Sequence, residues 1–130
     1  ADAMWAISSS FGPHTPEQWL ALSKHMVRPV PGAPGHVQLH YDPSIGDAFR
    51  TLTPEGAAQG EAALWGLYDQ IIAPTLLLRG AQSDLLSLQT AQAMTERGPR
   101  AQLVAFEGVG HAPTLIAPDQ LSAVTSFLSA

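Results

Sequence analysis

Thr75-Leu76-Leu77-Leu78-Arg79-Gly80-Ala81-Gln82-Ser83-Asp84 and Ala101-Gln102-Leu103-Val104-Ala105-Phe106-Glu107-Gly108-Val109-Gly110-His111-Ala112-Pro113 are the two stretches on which the fold turns. Each is a short apolar run that ends in a loop carrying an ionisable side chain. Residues 75–79 read as a strand, apolar enough to be buried on both faces. Residues 101–106 read as a second strand. Between them Ser87 suits an N-cap, and Leu88, Ala91 and Met94 follow at helical spacing toward Arg97. Gly98-Pro99 then stops the helix, since glycine takes the left-handed C-terminal position and proline cannot continue the turn. Pro118 opens a final helix with Leu121, Val124 and Phe127/Leu128 on its inner face. Strand, helix, strand, helix in this order implies a parallel pair joined by a right-handed crossover, and hence an α/β fold class.

Parallel strands expose their carboxyl ends at one edge, where open α/β sheets hold their ligands. Two loops leave that edge here, one with Ser83-Asp84 and one with Gly108-Val109-Gly110-His111-Ala112-Pro113. A carboxylate and an imidazole would therefore meet across it. That is the orienting half of an acyl-transfer site, in which the acid steadies the imidazole and its cation while the imidazole deprotonates a hydroxyl. Asp84 could also cap the following helix, and Ser83 and Ser87 suit loop and cap hydrogen bonds better than attack.

At these residues the sequence resembles the α/β-hydrolase family. The likeness lies in Leu76-Leu77-Leu78-Arg79-Gly80-x-x-Ser83-Asp84, then Gly108-x-Gly110-His111-Ala112-Pro113 and a closing helix. It implies that Asp84 is the catalytic acid, His111 the general base, and residues 70–130 the C-terminal part of the hydrolase core. By position, residues 1–69 correspond to the lid and connecting helix. The family's nucleophile sits on a G-x-S-x-G elbow that precedes the acid. No Ser or Asp here has a Gly two positions before it, and there is no Cys. The resemblance thus implies a C-terminal fragment, with nucleophile and oxyanion hole upstream of Ala1 and negligible activity in the isolated chain.

Upstream of residue 70 the pattern is less regular. Residues 1–10 read as the end of a helix. Thr15 opens another, with Pro16 in the first position and Gln18 completing a capping box. Trp19, Leu22 and Met26 share a face, and the helix is expected to run to Lys24, His25 and Arg28. Pro29-Val30-Pro31-Gly32-Ala33-Pro34-Gly35 reads as a loop. Residues 36–41 alternate like a short extended piece, and a helix from Pro54 to Tyr68 is expected to be interrupted at Gly56 and Gly60. Trp5 and Trp19 are candidate substrate contacts beneath a lid, with packing against the core as the alternative. His36 and His40 flank a register in which their side chains lie far apart, so no metal site is expected there.

Composition limits the rest. At 130 residues the chain suits one domain, and 45% hydrophobic content fits a globular protein. A net charge of −5 disfavours nucleic acid. No apolar run spans a membrane and no leader is visible, which points to a cytoplasmic protein. No cofactor is expected. The expected partner is a small-molecule substrate, together with a second copy of the chain, because a two-stranded parallel sheet leaves an apolar strand edge open to pairing. The competing reading is a binding or structural domain that keeps the architecture without the chemistry, or a lid-and-lobe module that works with a separate chain.

Overall fold

The computed structural model describes residues 9–130. The helix end expected over residues 1–10 and the candidate Trp5 lie outside them, apart from a 3-10 turn at Ser9–Phe11. The chain divides into two compact units, residues 14–60 and residues 9–13 with 61–130, and the division falls between Gly60 and Glu61.

In the first unit, α1 spans Pro16–Ser23. Its start is fixed locally: Thr15 Oγ1 accepts the Gln18 N–H at 3.3 Å, and Gln18 Oε1 accepts the Thr15 N–H at 2.8 Å. Its end comes earlier than residue spacing implies. Ser23 Oγ donates to the Trp19 carbonyl at 2.6 Å, and Met26 N–H turns back to the Ser23 carbonyl at 2.9 Å. Met26 and Arg28 are therefore not helical. Val27–Pro29 instead forms β1, antiparallel to β2 at Val37–Leu39, with Val27 opposite Leu39 and Arg28 opposite Gln38. The proline-rich stretch is the hairpin's connection. Pro29 stands opposite Val37 between hydrogen-bonded positions of an edge strand, where a missing N–H is tolerated, and Gly32 and Gly35 take φ of +75° and +81° to turn the chain. A 3-10 turn at Pro43–Gly46, capped by Asp42, leads into α2 at Asp47–Arg50. The backbone N–H and hydroxyl of Ser44 hold the Asp42 carboxyl below its ordinary pKa.

The helix α3 spans Pro54–Tyr68 without a break. Gly56 and Gly60 lie inside it rather than interrupting it; each costs about 1 kcal/mol relative to alanine, and the Gly56 N–H is met by Thr53 Oγ1 at 3.1 Å.

The second unit holds the parallel pair. β3 at Leu76–Gly80 lies beside β4 at Gln102–Phe106, with Leu76 opposite Gln102 and Gly80 opposite Phe106. The crossover helix α4 is Leu88–Glu96, capped by Ser87, whose Oγ accepts the Thr90 N–H at 3.0 Å. It stops at Gly98, which has a φ of +55°. The last helix, α5, is Pro118–Leu128. Ala91, Ala101, Phe106 and Val109 form the buried core. Leu76, Leu77 and Leu78 are half-buried, not enclosed on both faces, because β3 has one strand neighbour among the described residues. The C-terminal end of α3 is tied to that of α4. Tyr68 Oη donates to the Met94 carbonyl at 2.8 Å, Arg97 lies 4.3 Å over the Trp65 ring, and Arg97 forms a two-pronged ion pair with Asp69.

Candidate active site

The carboxyl ends of β3 and β4 are joined by backbone. Ala81 N–H donates to the Phe106 carbonyl and Gln82 N–H to the Val109 carbonyl, both at 2.9 Å. The approach is close because Gly80, which ends β3, and Gly110, in the loop after β4, carry no side chain. A Cβ on Gly80 would stand 2.8 Å from the Val109 carbonyl carbon, and one on Gly110 would stand 2.9 Å from Ser10 Cβ. Gly110 N–H donates to the Ser10 carbonyl, so the imidazole loop is held from both sides.

Two buried polar side chains fix the loops further. Arg79, 7% exposed, donates from Nε to the Leu86 carbonyl at 2.8 Å and from Nη1 to the Ala81 carbonyl at 3.1 Å. Its guanidinium thus brackets the turn that carries Ser83-Asp84. Gln120 on α5, 4% exposed, accepts the Leu115 N–H at 2.8 Å, which ties the segment after His111 to the last helix. Sequence reasoning passed over both. The signal for Arg79 was present, since arginine closing an apolar strand is buried only when its donors are used.

His111 lies at this edge and is exposed; its Nδ1 is 3.3 Å from Ser83 Oγ. The same oxygen accepts the Leu86 N–H at 3.1 Å. Ser83 N–H returns to the Gly80 carbonyl at 3.0 Å, closing the turn. Asp84 is the next residue, exposed, and among the described residues its carboxylate accepts no hydrogen bond. The structure therefore brings the two predicted loops together and places Ser83, rather than Asp84, within hydrogen-bond reach of the ring. Because successive side chains diverge, a sequence motif of the form Ser-Asp does not tell which of the two faces the imidazole.

Trp19, the other candidate contact, belongs to the first unit. It is half-buried and packs on His14 with ring centroids 4.7 Å apart and planes at 51°. Trp65 packs edge-on against Tyr68, with centroids 5.6 Å apart. Among the described residues no cluster of His, Asp and Glu has the makings of a metal site, and no helix is long and apolar enough to cross a membrane.

No protein-family model matches the chain. The 3-hydroxybutyrate-oligomer hydrolase of Cupriavidus necator is 47% identical over 124 residues, which is 95% of this chain and 42% of that protein. Among solved structures, an α/β hydrolase of Novosphingobium aromaticivorans is 33% identical with a TM-score of 0.66, over 98% of this chain and 44% of its own. A Rickettsia typhi protein at 23% identity superposes with a TM-score of 0.71 over 98% of this chain and 40% of its own. The chain thus spans about two fifths of the length of each relative. With its parallel pair, crossover helix and paired strand-end loops, this chain forms part of an α/β-hydrolase fold.

Proposed function

We propose that this chain supplies the acid and base half of a Ser-His-Asp hydrolase that cleaves ester bonds in short oligomers of a hydroxy acid. The observation that carries the reading is the His111 ring, held at the carboxyl end of the parallel pair against the Ser83-Asp84 turn. The likeness to the 3-hydroxybutyrate-oligomer hydrolase supports the substrate class.

In this reading a serine hydroxyl outside these 130 residues attacks the ester carbonyl. Nε2 of His111 takes its proton as the C–O bond forms, and returns it to the alcohol that leaves as the ester bond breaks. Water, deprotonated by the same nitrogen, then attacks the acyl-serine ester, and the proton passes to the departing serine oxygen as the acid product leaves. The negative charge of Asp84 stabilises the imidazolium present in both steps. The isolated chain has no nucleophile, so it is inactive. The open edge of β3 pairs with a further strand, supplied by the longer protein or, in the isolated chain, by a second copy.

The test is hydrolysis of a 3-hydroxybutyrate oligomer by the full-length protein and by its His111→Ala variant. A loss of about 10³-fold or more is expected, within the range that general-base catalysis supplies. Unchanged hydrolysis would favour the alternative, a binding or structural domain with a hydrolase architecture. Light scattering on the isolated chain tests the strand edge, and a folded monomer at micromolar concentration would remove that part of the proposal.

A further inference from the structure

We infer that the first unit carries a binding site for a short hydroxy acid, with Arg28 taking the carboxylate and Asp42 accepting a hydrogen bond from the hydroxyl. The demand for a carboxylate and a donor comes from the pocket itself. The choice of a hydroxy acid rests on the proposed function, of which such a molecule is the product. The pocket lies wholly within residues 14–60 and is lined by Arg28, His40, Tyr41, Asp42 and Pro43. Its volume is about 490 Å³, a size that suits a small organic molecule.

The hairpin sets the guanidinium. Arg28 stands opposite Gln38 in the strand register. The Gln38 amide oxygen, turned toward it, accepts from Nε at 2.9 Å and from Nη2 at 3.3 Å. That bonding occupies one edge of the planar fork and steadies a long side chain. The donors left over, on Nη1 and Nη2, form the other edge, which matches the two oxygens of a carboxylate. Among the described residues Arg28 forms no ion pair, although Asp42 shares the pocket with it.

Asp42 decides what kind of anion fits. The Ser44 N–H donates to its Oδ1 at 2.9 Å, which fixes the carboxylate in place. A carboxylate has about four acceptor sites, so capping the 3-10 turn leaves room for another donor. Cation and anion thus line one pocket without meeting. A simple anion gains at Arg28 and is repelled at Asp42. A hydroxy acid gains at both, because its charged end meets the guanidinium and its hydroxyl donates to Asp42. His40 and Tyr41 add an imidazole and a phenol hydroxyl to the same lining. The His40 backbone is held at the hairpin's end by its N–H bond to the Met26 carbonyl at 2.8 Å.

The experiment is titration of the ¹⁵N-labelled 130-residue chain with 3-hydroxybutyrate, read from backbone amide shifts in its NMR spectrum. The expected result is saturable shifts centred on Arg28, His40, Tyr41 and Asp42. Arg28→Gln should weaken binding about tenfold or more, the worth of one hydrogen bond to a charged group. Butyrate lacks the hydroxyl and methyl 3-hydroxybutyrate lacks the charge; each should bind about fivefold more weakly or worse, since each forfeits at least one hydrogen bond. No saturable shift, shifts centred elsewhere, or equal binding of either analogue or of inorganic phosphate overturns the inference. So does tighter binding of 3-aminobutyrate, whose ammonium would make the ligand an amino acid. Should Arg28→Gln not fold, the ligand comparisons on the unaltered chain still decide the matter. Hydrolysis is not read in this titration. Absence of esterase activity from the full-length protein would count against the proposed function, whereas absence of binding with hydrolysis intact would count against this site alone.

Discussion

The two units solve the problem of holding a short chain in place by different means. In residues 14–60 order is local. Thr15 and Gln18 cap α1, Ser23 bonds back to Trp19, Asp42 caps its own turn, and the hairpin closes within 13 residues, from Val27 to Leu39. Among the described residues of that unit Ser23 alone is buried. In residues 61–130 order is long-range. β3 finds β4 across a helix, four apolar side chains are buried, and the loops at the strand ends are bonded to each other. Local capping places a backbone, whereas the long-range pairing brings ionisable groups distant in sequence to one edge. It is the second arrangement that yields a candidate for chemistry.

Substitutions sharpen that contrast. The largest effect is expected from His111→Ala in the full-length protein, about 10³-fold or more in kcat, with the denaturation midpoint unchanged because the ring is exposed. Asp84→Asn keeps the shape but removes the charge proposed to stabilise the imidazolium; a loss of about 10²-fold in kcat is expected, which corresponds to roughly 2.7 kcal/mol. If that variant retained the full rate, the acid would lie elsewhere.

Next in size are changes beneath the site. Arg79→Met leaves the Ala81 and Leu86 carbonyls without their donor. It should cost about 3 kcal/mol in chemical denaturation, since a buried acceptor left unmet costs about 1–3 kcal/mol. Gly80→Ala forces a Cβ into the backbone of Val109 and Gly110, for about 1–3 kcal/mol. Both should collapse amide-exchange protection in β3 and β4 and leave the hairpin's exchange alone. Equal loss in both units would show that they unfold together, and the contrast between them would fail.

A smaller and purely local effect is expected in the first unit. Thr15→Ala removes the cap of α1, worth about 1 kcal/mol, and should raise exchange at Gln18 and Trp19 without touching β3. The smallest is a pH effect at the junction of α3 and α4. Hydrogen bonding from Arg97 holds the Asp69 carboxyl below its ordinary value. A depressed carboxylate stabilises the fold above its unfolded pKa and loses that contribution as pH falls through the folded one. The unaltered chain and Arg97→Gln should therefore differ in melting midpoint above the ordinary carboxylate range and converge as pH falls through the lowered folded-state value. The pair is partly exposed, so the difference is expected to be small.

The same contrast governs what could be read in advance. The β-α-β order, the Ser87 and Thr15 caps and the Gly98 stop were legible because each depends on residue type at a fixed offset. The hairpin was not, because Pro29, Pro31 and Pro34 mark a loop without saying that the residues on either side pair. Nor was the early end of α1, which turns on a serine hydroxyl competing for a helix carbonyl. At the site, the meeting of the two loops was legible from topology. The choice of Ser83 over Asp84 as the ring's partner depends on the twist of the six-residue turn over residues 81–86 bracketed by Arg79, which no residue pattern specifies.

The backbone bonds that join the two strand-end loops are all internal to this chain. The loops that carry the proposed acid and base are thus registered against each other within this chain. A hydrolase divided at this place would be a split enzyme in the practical sense. One fragment would bring the serine and the other a pre-set proton carrier, and mixing the two would switch activity on. The open edge of β3 would be the seam, and the half-buried leucines along it would set how tightly the fragments recombine.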